Sequence, residues 1–104
     1  MRTMLQGVPE YINEAVLVHK RTNGRRRSDD CYRARELVHW PESGKWGILH
    51  TGGRFTDISF RAPSSGKLTG CRRLELIDPE DAAALLDADG RDDALAEYFP
   101  NFQR

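Results

Sequence analysis

Residues 31–61, CYRARELVHWPESGKWGILHTGGRFTDISFR, read as three consecutive strands joined by two tight turns. Pro41-Glu42-Ser43-Gly44 is a cluster of turn formers between two runs that hold tryptophan and β-branched residues. Proline presets φ for such a turn, and glycine accepts the positive φ that ends it. Thr51-Gly52-Gly53 is a second cluster of the same kind, ahead of the run 55–61. In that run Thr56, Ile58 and Phe60 point one way while Asp57 and Ser59 point the other, the alternation of an antiparallel strand with one wet face. The competing reading is a helix over 29–39, with Ser28 as N-cap and a stop before Pro41. Tyr32, Val38 and Trp40 favour the strand.

On the N-terminal side, residues 1–8 show no period and read as a frayed or extended entry. Pro9 suits the first position of a helical turn over 9–13. The compact apolar run Ala15-Val16-Leu17-Val18 then starts a strand over 14–21, although Tyr11, Ile12, Ala15 and Val18 also recur at helical spacing. Asn23-Gly24 is the strongest short turn signal in the chain. With strands on both flanks it makes a hairpin whose tip carries Lys20, Arg21, Arg25, Arg26 and Arg27.

On the C-terminal side, the Pro, Ser and Gly content of residues 62–70 marks a flexible loop, and residues 71–77 follow as a strand with Leu74 and Leu76 on one face. Asp78-Pro79-Glu80-Asp81 is a helix start: a capping carboxylate, proline at the first helical position, and acids facing the helix dipole. Ala82, Leu85 and Leu86 form its apolar stripe, and Gly90 ends it. A second, shorter helix begins at Arg91-Asp92-Asp93, buries Leu95, Tyr98 and Phe99, and stops at Pro100. The expected architecture for residues 1–104 is one α+β domain. It has an antiparallel meander of four to five strands, with an amphipathic helical pair over 78–99 on one face.

The formal net charge of zero conceals an asymmetry. Up to Arg73 there are 14 Lys and Arg against 7 Asp and Glu, and from Leu74 onward 2 against 9. Either the acidic helices neutralise the basic sheet, or two surfaces of opposite sign face two different partners. No apolar run approaches the roughly 20 residues of a membrane span, and the start lacks the apolar core of a signal peptide. A cytoplasmic protein without a membrane partner is the expectation. There Cys31 and Cys71 are two thiols rather than a disulfide.

Little in the sequence points to catalysis. Cys31, His39, His50 and Cys71, with His19 in reserve, lack the two-to-four-residue ligand pairing of zinc sites, so neither metal nor cofactor is expected. A hydrolase or nuclease would draw on His39 and His50, which adjacent strands would have to bring together, with Asp57 or Glu36 and arginines. Trp40 and Trp46 flank the turn at 41–44, where they either meet across the hairpin or, with Tyr32 and Phe55, form a stacking platform beside Arg33, Arg35 and Arg54.

The leading expectation is a small non-enzymatic nucleic-acid-binding or regulatory protein. Arg25, Arg26 and Arg27 would contact phosphates from the tip. Lys20, Arg21, Arg33, Arg35, Arg72 and Arg73 would extend the patch, and Tyr32, Trp40 and Trp46 would stack. The rival is a protein-interaction module or inhibitor whose Asp87, Asp89, Asp92, Asp93 and Glu97 face a basic protein partner. A homodimer through an uncovered sheet face or edge is compatible with either reading.

Overall fold

A computed structural model of the chain describes residues 3–5 and 10–102. Among these, six strands precede two helices: β1 (Thr3–Leu5), β2 (Val16–Thr22), β3 (Arg33–Trp40), β4 (Lys45–Gly52), β5 (Ser59–Arg61), β6 (Leu68–Ile77), α1 (Pro79–Ala88) and α2 (Asp92–Tyr98). A short 3-10 helix, Glu10–Glu14, lies between β1 and β2. The strands pair antiparallel in the order β1-β6-β4-β3-β2, and β5 pairs the start of β6. Strands β2, β3, β4 and β6 therefore form the meander, and the fold is α+β.

The ambiguous stretch before Pro41 is a strand. β3 pairs β4 from Arg33↔Gly52 through Trp40↔Lys45, and Gly44 closes the hairpin with φ +73. This register separates the two tryptophans. Trp46 lies opposite His39 and Trp40 opposite Lys45, and successive side chains leave a strand on opposite faces. The expected meeting of Trp40 and Trp46 across the turn does not occur, and each anchors a different core.

On one face Leu37, Trp46, Ile48 and Ile77 pack against Ala82, Ala83, Leu86, Ala94 and Leu95 of the two helices. Trp46 stacks on His39 and meets Tyr98 and Phe99 edge-on or tilted. On the other face Val38, Trp40 and Leu74 pack with Ile12, Ala15 and Leu76. Trp40 Nε1 donates to the Tyr11 carbonyl at 2.9 Å, which ties the 3-10 turn to the sheet.

The helices start and stop where the sequence indicates. Asp78 is the N-cap of α1, although its side chain makes no capping hydrogen bond. Gly90, at φ +69, reverses the chain, and the Arg91 amide bonds back to the Leu86 carbonyl at 2.9 Å.

Four expectations are corrected or narrowed. The run 55–61 contributes only the three residues of β5, which pair β6 rather than β4. The Gly53 amide donates to the Tyr32 carbonyl and the Phe55 amide to the Asp30 carbonyl, while Thr56 Oγ1 donates to the Gly53 carbonyl. These bonds hold residues 53–58 against the 29–32 loop, so Ile58 is buried and Phe60 exposed rather than aligned on one face. Second, Asn23-Gly24 opens a long connection, residues 23–32, instead of closing a two-residue hairpin. The Asn23 side chain bridges it, donating to the Cys31 carbonyl and accepting from the Arg33 amide. Third, of the frayed and extended readings of the entry, Thr3–Leu5 takes the extended one, as a strand on β6; the rest of 1–9 lies outside the described residues, including the expected start at Pro9. Fourth, β6 begins at Leu68, and 62–67 closes as a turn through Ala62 N to Lys67 O and Gly66 N to Ala62 O.

Candidate functional site

Residues opposite each other on neighbouring strands share a face. On the helix-bearing face, the rung Trp46, His39 and Ile77 and the rung Leu37 and Ile48 lie under α1 and α2. The next rung along the strands is Arg21↔Arg35↔His50↔Arg73, running across β2, β3, β4 and β6. Beyond it comes Arg33, opposite Gly52. One end of this face is a helix-covered apolar core, and the other is a row of arginines.

A buried polar chain underlies that row. His50 is 7% exposed. Its Nδ1 lies 2.8 Å from Arg33 Nη2 and its Nε2 lies 2.9 Å from Glu75 Oε1. A guanidinium can only donate, so Nδ1 accepts from Arg33 and the His50 proton sits on Nε2, donated to Glu75. Arg33 also donates through Nε to Asp57 at 2.8 Å and through Nη1 to the Ala34 carbonyl. Burial pushes the His50 pKa below its ordinary value, and the neighbouring Arg33 charge pushes the same way against the Glu75 hydrogen bond. The hydrogen bond from Arg33 holds the Asp57 carboxyl below its usual range.

Both ring nitrogens of His50 are therefore engaged, which leaves no nitrogen for general-base work. His39 shares the face but lies at the far end of it, opposite Trp46, while His50 pairs Arg35. Four residues of strand separate the two rungs, about 13 Å. His39 Nδ1 donates to the Lys45 carbonyl at 2.9 Å and its ring stacks on Trp46 with centroids 4.1 Å apart. The sheet does not bring the two histidines together. Cys31 and Cys71 are free, half-buried thiols, and the described residues contain no cluster of three or more metal-ligating side chains.

The other expected phosphate-contacting residues are distributed as follows. Arg21 donates to Asp89 at the end of α1, at 2.7 Å, and the same carboxylate takes His19 at 2.9 Å. Arg73 donates to the Ser59 carbonyl, and Arg25 pairs Asp29 at 3.4 Å. Lys20 and Arg72 occupy alternate positions and face the opposite side of the sheet. Arg26 and Arg27 are exposed in the 23–32 connection. Among the described residues, Arg26, Arg27, Arg35 and Arg72 make no ion pair.

None of the three expected stacking residues is available. Tyr32, Trp40 and Trp46 are each at most 7% exposed and belong to the core. The most exposed aromatics are Phe55 and Phe60, at 61% and 52%. Alternation alone assigns Phe60 to a buried face, so its exposure was not readable; Phe55, next to Arg54, was. Arg54, the residue before Phe55, lines a cleft of about 410 Å³ together with Arg27, Asp29, Asp30, Gly52, Gly53, Lys67 and Thr69 among others.

On the acidic side, Asp89 is engaged by Arg21 and His19. Asp93 pairs Arg91 at 3.1 Å, which lowers its pKa. Asp87, on α1, is half-buried, whereas Asp92 and Glu97 are exposed on α2. No helix is long and apolar enough to cross a membrane among the described residues. The chain matches no protein-family model, no curated protein and no solved structure.

Proposed function

We propose that the end of the sheet away from the helices binds a polyanion, nucleic acid by preference, without catalysis. Residues 23–35 and 52–73 hold ten Lys and Arg against three Asp and no Glu. The observation that carries the reading is the rung in which Arg21, Arg35 and Arg73 line up with His50. Like charges placed directly opposite on neighbouring strands destabilise a sheet by about 0.2–1 kcal/mol. Arg21 is paired with Asp89, whereas Arg35, exposed and without an ion pair among the described residues, gains nothing of its own within the fold that offsets this. An anionic backbone laid across the rung would supply what is missing, with Arg26 and Arg27 as flanking phosphate contacts. The rival surface on the helices is weaker, because Asp89 and Asp93 already have basic partners within the chain.

The test pairs binding with stability. In Arg35→Thr a β-branched residue replaces one of two opposed cations, so the variant should unfold at equal or higher denaturant concentration than the parent. Its affinity for DNA and RNA should fall, and the slope of log affinity against log salt should shrink by about 0.7–0.9 for each phosphate that the variant no longer neutralises. Wild-type protein that fails to bind DNA or RNA at low salt would sink the proposal, and the exposed acids Asp92 and Glu97 would then lead the search for a basic protein partner.

A further inference from the structure

Resting on the polyanion reading, we infer that the ligand is single-stranded, with bases stacked on Phe55 and Phe60 and a backbone phosphate held in the cleft between Arg27, Arg54 and Lys67. Duplex recognition inserts a helix or a two-stranded ribbon into a groove. Among the described residues no helix residue lines the cleft, and α1 and α2 pack over the apolar core, the end of α1 reaching the basic rung through Asp89 on Arg21. Single strands are instead held by a cationic track and by aromatic faces on which unpaired bases stack.

Both ingredients occur together here. Phe55 follows Arg54 directly, and the Arg54 guanidinium lies over the ring at 4.9 Å from its centroid, yet the residue is 61% exposed. Phe60 is 52% exposed and pairs Thr69, a residue of the cleft wall. Isolated exposed apolar residues are ordinary. Two phenylalanines five positions apart are both more than half exposed, one adjoining a cleft residue in sequence and the other paired with one across strands, and the cleft itself carries three cations; packing inside this chain does not account for their exposure.

The two acids in the cleft are already engaged. Asp29 accepts from the Cys31 amide at 2.7 Å and pairs Arg25. Asp30 pairs Arg54 at 2.9 Å, with both side chains about half exposed. This last pair competes with a phosphate for the same guanidinium. Removing the Asp30 charge should therefore strengthen binding, an outcome opposite to that of most substitutions in a binding site.

The experiment is fluorescence anisotropy with labelled oligothymidylate, oligouridylate and a duplex of matched charge. The proteins are the parent, Phe55→Ala, Phe60→Ala, Asp30→Asn and Arg26→Ala/Arg27→Ala, each checked by circular dichroism. Each phenylalanine variant should lose between about fivefold and 150-fold on the single strands, with duplex binding unchanged. Asp30→Asn should bind single strands more tightly than the parent. Comparison of the thymidylate and uridylate arms assigns DNA or RNA. If the parent binds duplex as tightly as single strand and neither phenylalanine matters, the single-strand inference is overturned. The polyanion reading then survives only if Arg26→Ala/Arg27→Ala weakens both forms. If the parent binds none of the probes, both readings fall.

Discussion

Alanine in place of Gly53 tests how the candidate site is held to the sheet. A Cβ at this position would lie 2.3 Å from the Asp30 carbonyl oxygen, 2.6 Å from its carbon and 2.8 Å from the Asp29 carbonyl oxygen. These atoms are backbone and cannot rotate aside, so the 53–58 segment must withdraw by about 1 Å to regain ordinary contact. Overpacking of this kind costs about 1–3 kcal/mol. The shift also strains the Gly53–Tyr32 and Phe55–Asp30 backbone bonds, 2.9 and 3.0 Å long, each contributing about 0.5–1.5 kcal/mol. The reduced entropy of the unfolded chain returns about 0.4–1 kcal/mol. The expected net loss is about 2–4 kcal/mol, read from urea unfolding followed by the fluorescence of the buried Trp40 and Trp46. Gly24→Ala is the control. Its Cβ would meet nothing within 4 Å, and only the φ of +83 is unfavourable, for about 1–2 kcal/mol. A Gly53→Ala loss below that of Gly24→Ala would refute the claim that close backbone approach anchors this segment.

Three further predictions concern pH dependence and the core. His50 is held neutral with a pKa below 6.5, so below pH 6.5 the unfolded chain takes up its proton first. The associated stability is complete above pH 6.5 and is lost as pH falls towards the folded-state value, with a slope no steeper than about 1.4 kcal/mol per pH unit. His50→Gln, which can accept from Arg33 and donate to Glu75, should flatten that slope; an unchanged slope in unfolding measured across this range would clear His50 of the role. Asp57, depressed by Arg33 from 3.8, adds stability that is present above pH 3.8 and lost at lower pH. Leu74→Ala, at a fully buried position, should cost about 2–5 kcal/mol. Leu17→Ala, 53% exposed on the edge strand β2, should stay within about 0.5 kcal/mol, and comparable losses for the two would contradict the assignment of the second core.

Much of the architecture was legible because it depends on local signals. The turn from Pro41 to Gly44, the Asp78-Pro79 helix start and the Gly90 stop each act within a few residues, and each appears where it was read. The candidate site was legible mainly as charge. Arg26, Arg27 and Arg35 are exposed, but Arg33 looks the same in sequence and is the internal partner of His50 and Asp57. Tyr32, Trp40 and Trp46 looked suited to stacking, yet all three are buried, and the two tryptophans anchor the two cores.

By itself the sequence determined the α+β class, an antiparallel meander sheet, the helical pair and the split between a basic part of the chain and an acidic tail. All of these follow from periodicity, breakers and composition, which are properties of neighbouring residues. Tertiary structure decided the rest. The register of β3 on β4 put Trp40 and Trp46 on opposite faces, since a strand's side chains alternate and a single register fixes every one of them. The same register aligned Arg21, Arg35, His50 and Arg73, residues drawn from four strands. Backbone bonds from Gly53 and Phe55 to the 29–32 loop took this segment out of the β4 pairing, and Phe60 is exposed although alternation placed it with the buried Ile58. Such juxtapositions depend on strand register and on pairings between segments, which local periodicity does not specify.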